Sequence, residues 1–120
     1  MLDDLQKVVI LVIDDEPMIL KMLSRTLSRK FGKVLTAQTI EEAEKLLAEN
    51  EVTHLICDCN LSTDRPRSID LIPGWCAQYP SIIRTVLFPG SDFVKENIPK
   101  EVDYVIAKNQ GHERLVQTLL

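Results

Sequence analysis

Residues 8 to 13 read VVILVI, six consecutive apolar residues of which five are β-branched. Asp14 and Asp15 follow at once, then Glu16 and Pro17. A strand with one wet face alternates apolar and polar side chains. A run without alternation fits a strand buried on both faces, as in a parallel sheet covered by helices. That requirement limits the fold to one able to place cover on two sides of the same strand.

The rest of the chain supplies that cover. Pro17 suits a first helical turn, with Glu16 near the cap. Ile19, Leu20, Leu23 and Leu27 then recur at spacings of three and four, one apolar helix face, and Gly32 is expected to close the helix. Residues 34 to 37, VLTA, read as a second strand. Thr39 and Glu42 have capping-box spacing, before a helix lined by Ala43, Leu46 and Leu47 that ends near Asn50. Residues 53 to 57, THLIC, form a third strand with Asp58 at its carboxyl end. The stretch STDRPRS is a loop. A helix over Ile69 to Tyr79 follows, with Pro73 and Gly74 implying a late start or a distortion. Ile82 to Phe88 make a fourth strand, broken by Pro89 and Gly90, and Asp92 to Asn97 leave room for only a short helix. Residues 103 to 107, DYVIA, are a fifth strand, and the last nine residues are a helix with Leu115, Val116, Leu119 and Leu120 on one side.

Strand and helix thus alternate five times, the pattern of a doubly wound five-stranded parallel sheet in an α/β sandwich of three layers. There is no internal repeat, low-complexity tract or linker, so one domain over residues 1–120 is expected. At 45% hydrophobic and 27% charged residues the chain reads as soluble and globular. A net charge of −4 argues against a nucleic-acid surface. No apolar run spans a bilayer, and the acids in MLDDLQKVV reverse the order of a secretory signal, so a cytoplasmic location is expected. Three cysteines without an export signal do not suggest a disulfide framework.

In this architecture functional groups gather at the carboxyl ends of the strands. Strand one delivers Asp14 and Asp15, strand three Asp58, strand four Pro89-Gly90, and strand five leads into Lys108. Clustered carboxylates repel one another unless a cation neutralises them, and hard oxygen donors suit Mg²⁺. Lys108 is a point charge able to pair with Asp58 or with a phosphoryl group. A carboxylate, a hard cation and an ammonium are ingredients of phosphoryl transfer, with Asp58 as nucleophile. Simpler readings stand beside this one. Asp14 and Asp15 could serve the dipole of the first helix, Asp58 could be a cap, and Lys108 could be a solvated lysine. Cys57 and Cys59 point away from Asp58 in a strand and read as packing residues. With His54 they lack a nearby fourth ligand for zinc. His54 and His112 read as surface or strand-end residues, Trp75 and Tyr79 as sheet packing, and Arg65 and Arg67 as a solvated loop.

The order of these groups, the acid pair in VIDDEP, Asp58 in LICDCNL and Lys108 in VIAKN, resembles the receiver domain of two-component response regulators over essentially the whole chain. The resemblance implies a flavodoxin-like fold, with Asp58 as phosphoacceptor. It implies Mg²⁺ (or Mn²⁺) held by Asp15 directly, Asp14 through water, Asp58, and the backbone carbonyl of Asn60. Lys108 and the Gly90 N–H would contact the phosphoryl group. It implies a phosphohistidine donor on a sensor histidine kinase or phosphotransfer protein, and a downstream protein target, without nucleic acid or membrane contact. The chain would be a signalling domain rather than an enzyme, limited to self-catalysed phosphoryl transfer and autodephosphorylation. It departs from the family at four places. Pro89 stands where a Ser or Thr is usual and has neither hydroxyl nor N–H. Tyr104 stands one residue before the usual aromatic position, which Val105 takes. The loop after Asp58 is longer and carries Arg65 and Arg67, and Asn109 replaces a proline. Pro89 and Tyr104 favour the alternative of a non-switching interaction module of the same fold. A haloacid dehalogenase-type phosphatase is less favoured, since Asn60 stands where its second acid is needed and the chain has no room for a cap domain.

Overall fold

The computed structural model describes residues 5–58, 68–90 and 98–120. Strands β1 (Val9–Ile13), β2 (Lys33–Ala37), β3 (His54–Cys57), β4 (Arg84–Leu87) and β5 (Tyr104–Val105) alternate with helices α1 (Pro17–Ser28), α2 (Ile40–Glu49), α3 (Ser68–Gln78) and α4 (His112–Leu119). A 3-10 turn at Lys108–Gln110 precedes α4. All pairings are parallel, in the order β2-β1-β3-β4-β5. The short helix expected over residues 92–97 lies outside the described residues.

The apolar run of β1 feeds two cores. Ile10 and Val12 join Ile56, Val86, Phe88 and Ile106 under Leu20, Leu23 and Leu27 of α1 and Leu115, Val116 and Leu119 of α4. Leu11 and Ile13 join Ala37, Leu55, Cys57 and Leu87 over Ala43 and Leu47 of α2 and Ile69, Ile72 and Trp75 of α3. The absence of alternation in VVILVI therefore reflects cover on both sides, as expected. Among the described residues no helix is long and apolar enough to cross a membrane.

Local signals set most element ends. Pro17 occupies the first helical positions of α1. Thr39 caps α2 by accepting the Glu42 N–H at 3.1 Å, and the Glu42 carboxylate accepts the Gln38 N–H at 3.3 Å. The Trp75 indole N–H donates to Glu44 at 3.1 Å, tying α3 to α2. Gly111, at φ 90°, supplies the positive backbone angle between the 3-10 turn and α4.

Several expectations need correction. Gly32 does not close α1 through a left-handed turn. Instead its N–H donates to the Leu5 carbonyl at 3.0 Å, and a Cβ there would run into the Gln6 backbone. The helix after Asp58 runs through Pro73 from Ser68, one residue earlier than the expected start rather than later. Only the Ile69 carbonyl loses its regular helical donor at that proline. The fourth strand covers Arg84–Leu87 rather than residues 82 to 88, and the fifth shrinks to Tyr104–Val105. Its position survives because hydrogen bonds continue past its ends. Asp103 N–H donates to Thr85 O at 2.8 Å, and Ile106 N–H to Leu87 O at 2.9 Å. Leu120 is 61% exposed and leaves the apolar side of α4.

His54 stands at the start of β3, a strand-end residue as expected, but it is buried rather than at the surface. Its Nδ1 shares a 2.8 Å hydrogen bond with the Thr53 hydroxyl. Burial, and then the neighbouring Arg84 charge, push its pKa below the ordinary 6.5. The charged imidazole is disfavoured in the folded state. Stability is thus complete above pH 6.5 and is lost as pH falls toward the folded-state value. Thermal unfolding at pH about 7.5 and about 5.5 should show a lower midpoint in acid, and His54→Gln should flatten that difference. An unchanged slope in the variant would place the titration elsewhere. Gly32→Ala should cost about 1–3 kcal/mol in urea unfolding, since the backbone of residues 5 and 6 must move to admit the methyl group.

Candidate functional site

The sheet order reverses between β1 and β3: β1 leads outward to β2, and β3 leads the other way to β4. The crevice at such a switch point, beyond the carboxyl ends of the strands, is where this class of sheet places ligands. A chain of backbone bonds fixes what stands there. Asp14 N–H donates to Ala37 O at 3.0 Å and Asp58 N–H to Ile13 O at 2.9 Å. Phe88 N–H donates to Cys57 O and Lys108 N–H to Pro89 O, both at 2.9 Å. Asp14, Asp58 and Phe88, each just past a strand, are thereby pinned to the neighbouring strand, and Lys108 is pinned to the segment that follows β4.

Lys108 is the centre of the site. Its Nζ lies 2.8 Å from Asp14 Oδ2, 3.2 Å from Glu16 Oε1 and 3.3 Å from Asp58 Oδ2. Asp14 is only 2% exposed and uses both oxygens, since Oδ1 accepts the Glu16 N–H at 2.9 Å. Burial raises the Asp14 pKa, with the Lys108 ammonium and the Glu16 N–H pulling it back. Partial burial acts to lower the Lys108 pKa, but the carboxylates of Asp14, Asp58 and Glu16 outweigh it and hold the ammonium above its usual range. The lysine is therefore charged at any physiological pH and stands as the counterion of the acids.

Asp58 follows β3 with its backbone carbonyl accepting from the Ser68 hydroxyl and, at 3.1 Å, from the Cys57 thiol. The first residue of α3 thus holds the aspartate's backbone. Cys57 is fully buried in the core toward α2 and α3, away from the carboxylate, as the strand alternation requires. Asp15 is exposed, and one carboxylate oxygen each from Asp14, Asp15 and Glu16 lie within 4.8 Å of one another. Close carboxylate oxygens beside a crevice are donors of the type a hard divalent cation takes. The site thus brings together Asp14, Asp15, Asp58 and Lys108. Asn60, Cys59, Arg65 and Arg67 lie outside the described residues.

Pro89 is buried, and Gly90 after it is half-buried. Pro89 lacks an N–H, but its carbonyl holds the backbone of Lys108. Tyr104 is 43% exposed and its ring lies under the Arg84 guanidinium, 5.9 Å from the centroid. Arg84 also donates to the Thr118 carbonyl at 2.8 Å, joining the amino end of β4 to the end of α4. Tyr104 pairs with Val86 and Val105 with Leu87, so no bulge corrects the one-residue shift. His112 stacks obliquely on Phe88, ring centroids 6.1 Å apart.

Two participants were not anticipated from the sequence. In the sequence Glu16 reads only as a residue near a helix cap, although it is the third acid of one run. Ser68 gave no sign, because its partner is a backbone carbonyl ten residues away.

Comparison with known proteins agrees with this geometry. Residues 10–120 match the family model for the response regulator receiver domain. A response regulator from Burkholderia pseudomallei, solved with a phosphorylated aspartic acid, calcium ion and citrate, superposes with a TM-score of 0.80 at 24% identity, covering 95% of this chain and 67% of that one. The signal receiver domain of an HD domain-containing protein from Pseudomonas fluorescens gives 0.80 at 25% identity, covering 93% and 90%. A response regulator receiver domain protein from Clostridium thermocellum gives 0.79 at 21% identity, covering 93% and 90%. Among curated proteins no match is found. The match over residues 10–120, on a five-stranded parallel sheet with an acid-lysine cluster at its switch point, shows that the chain belongs to the response regulator receiver domain family.

Proposed function

We propose that this receiver domain takes a phosphoryl group on Asp58, from a phosphohistidine of a sensor histidine kinase or phosphotransfer protein, and signals by contact with a protein target. The observation that carries the reading is the position of Lys108, which joins the carboxylate of Asp58 to the buried Asp14. A carboxylate oxygen of Asp58 forms a bond to phosphorus, the P–N bond to the donor imidazole breaks, and its electron pair stays on the imidazole nitrogen. The product is an acyl phosphate. Lys108 then holds negative charge on the transferred group, and the Gly90 N–H is the backbone donor near it. Asp14, Asp15, Asp58 and the Asn60 carbonyl are the groups assigned to a Mg²⁺ ion. When bound, that ion neutralises charge shared between the acids and the phosphoryl oxygens.

Pro89 and Tyr104 support a second reading, an interaction module of the same fold that does not switch. Pro89 offers no hydroxyl to follow the phosphoryl group, and Tyr104 rests on Arg84 at the surface.

Incubation with Mg²⁺ and acetyl phosphate, read by intact mass, separates the two. The first reading expects the mass of one added phosphoryl group in wild type and none in Asp58→Asn, with the variant still folded. Unmodified wild type beside a modified control receiver would leave only the interaction module. Pro89→Thr keeps the carbonyl that holds Lys108 and adds a hydroxyl. It should change the phosphoryl lifetime by less than about tenfold, the scale of one hydrogen bond.

A further inference from the structure

Among the described residues, Glu16 is the member of the Lys108 cluster that lies on its rim. Its side chain is 61% exposed, against 2% for Asp14 and 13% for Asp58. Its backbone nevertheless has little freedom. The N–H is held by Asp14 Oδ1 at 2.9 Å, and the carbonyl accepts from Ile19 and Leu20 at 3.1 and 3.2 Å. Pro17 disfavours the helical region for the residue before it, and Glu16 sits in the extended region at φ −93°, ψ 109°. The carboxylate is therefore aimed at Lys108 Nζ from a fixed root while its tip stays in water.

An ammonium has three N–H donors, and among the described residues it has three carboxylate partners. Two of those partners, Asp14 and Asp58, are groups that the proposed function assigns to cation and phosphoryl chemistry. We propose, resting on that reading, that Glu16 is a positioning residue for Lys108, holding its ammonium over the crevice when a divalent cation or phosphoryl group draws Asp14 and Asp58 away. Without Glu16 the ammonium keeps, among the described residues, the two inner acids, and it competes with an incoming cation for them. With Glu16 the ammonium yields those oxygens and keeps a partner. Glu16 therefore favours cation binding through the lysine rather than as a ligand.

A double-mutant cycle tests this. Mg²⁺ binding is measured by calorimetry on wild type, Glu16→Gln, Lys108→Met and the double variant. Glu16→Gln should weaken Mg²⁺ binding about two- to fivefold, the scale of one exposed ion pair. The same substitution should have no effect in the Lys108→Met background. An equal weakening in both backgrounds, which a direct ligand or simple charge attraction would give, overturns the proposal. So does no weakening in wild type. A second readout requires neither the lysine variant nor the cation. Water exchange of the Lys108 ammonium protons, followed by ¹⁵N NMR, should be faster in Glu16→Gln than in wild type, with or without Mg²⁺. Equal rates overturn the proposal. Failure of wild type to bind Mg²⁺ would count against the proposed function instead, and the exchange measurement in the metal-free protein would still judge Glu16.

Discussion

One ammonium ion organises the functional edge of this protein. Asp14 is buried at the end of the apolar strand β1, where a lone carboxylate would be costly. Lys108, delivered from a turn on the far side of the sheet, meets it at 2.8 Å and reaches Asp58 and Glu16 as well. Breaking a pair of this kind leaves an uncompensated buried charge, a loss of about 3–5 kcal/mol. The acids therefore depend on the lysine for their burial, and the lysine depends on the backbone bond between its N–H and Pro89 O for its position. Fold and site are joined through that one side chain.

The same dependence explains the strand order. Asp14 and Asp58 share a crevice only because β1 and β3 are adjacent, with β2 displaced to the outside. Lys108 reaches them across β4, since β5 ends early and the chain turns inward at the 3-10 segment.

Much of this was legible in the residues. VVILVI announced a strand with cover on both faces, and the helix faces of α1 and α2 followed from simple spacing. The acid pair, Asp58 and Lys108 could be placed at one edge because each stood directly after a strand signal. What escaped were effects that spacing does not encode. Gly32 looked like a helix stop, whereas its need is room for the backbone of Gln6, a contact set by tertiary packing. His54 looked exposed because a polar residue at a strand start usually is, yet the Thr53 hydroxyl satisfies it inside. The fifth strand looked longer because its apolar pattern continues into Ile106, which is buried and still bonded to the Leu87 carbonyl although the regular strand ends at Val105. Pro73 suggested a late start or a distortion, but the helix begins at Ser68, and burial of Ile69, Ile72 and Trp75 outweighs one missing bond.

Trp75 carries a practical consequence. It is the sole tryptophan, buried against Glu44 of α2, seven residues along α3 from the serine that holds the Asp58 backbone. At 1.5 Å per residue that is about 10 Å of helix between the two. Its emission is thus a gauge of how α3 sits on α2. A change in that fluorescence on loading the edge would report movement at the seam between α3 and α2, where the indole bonds Glu44.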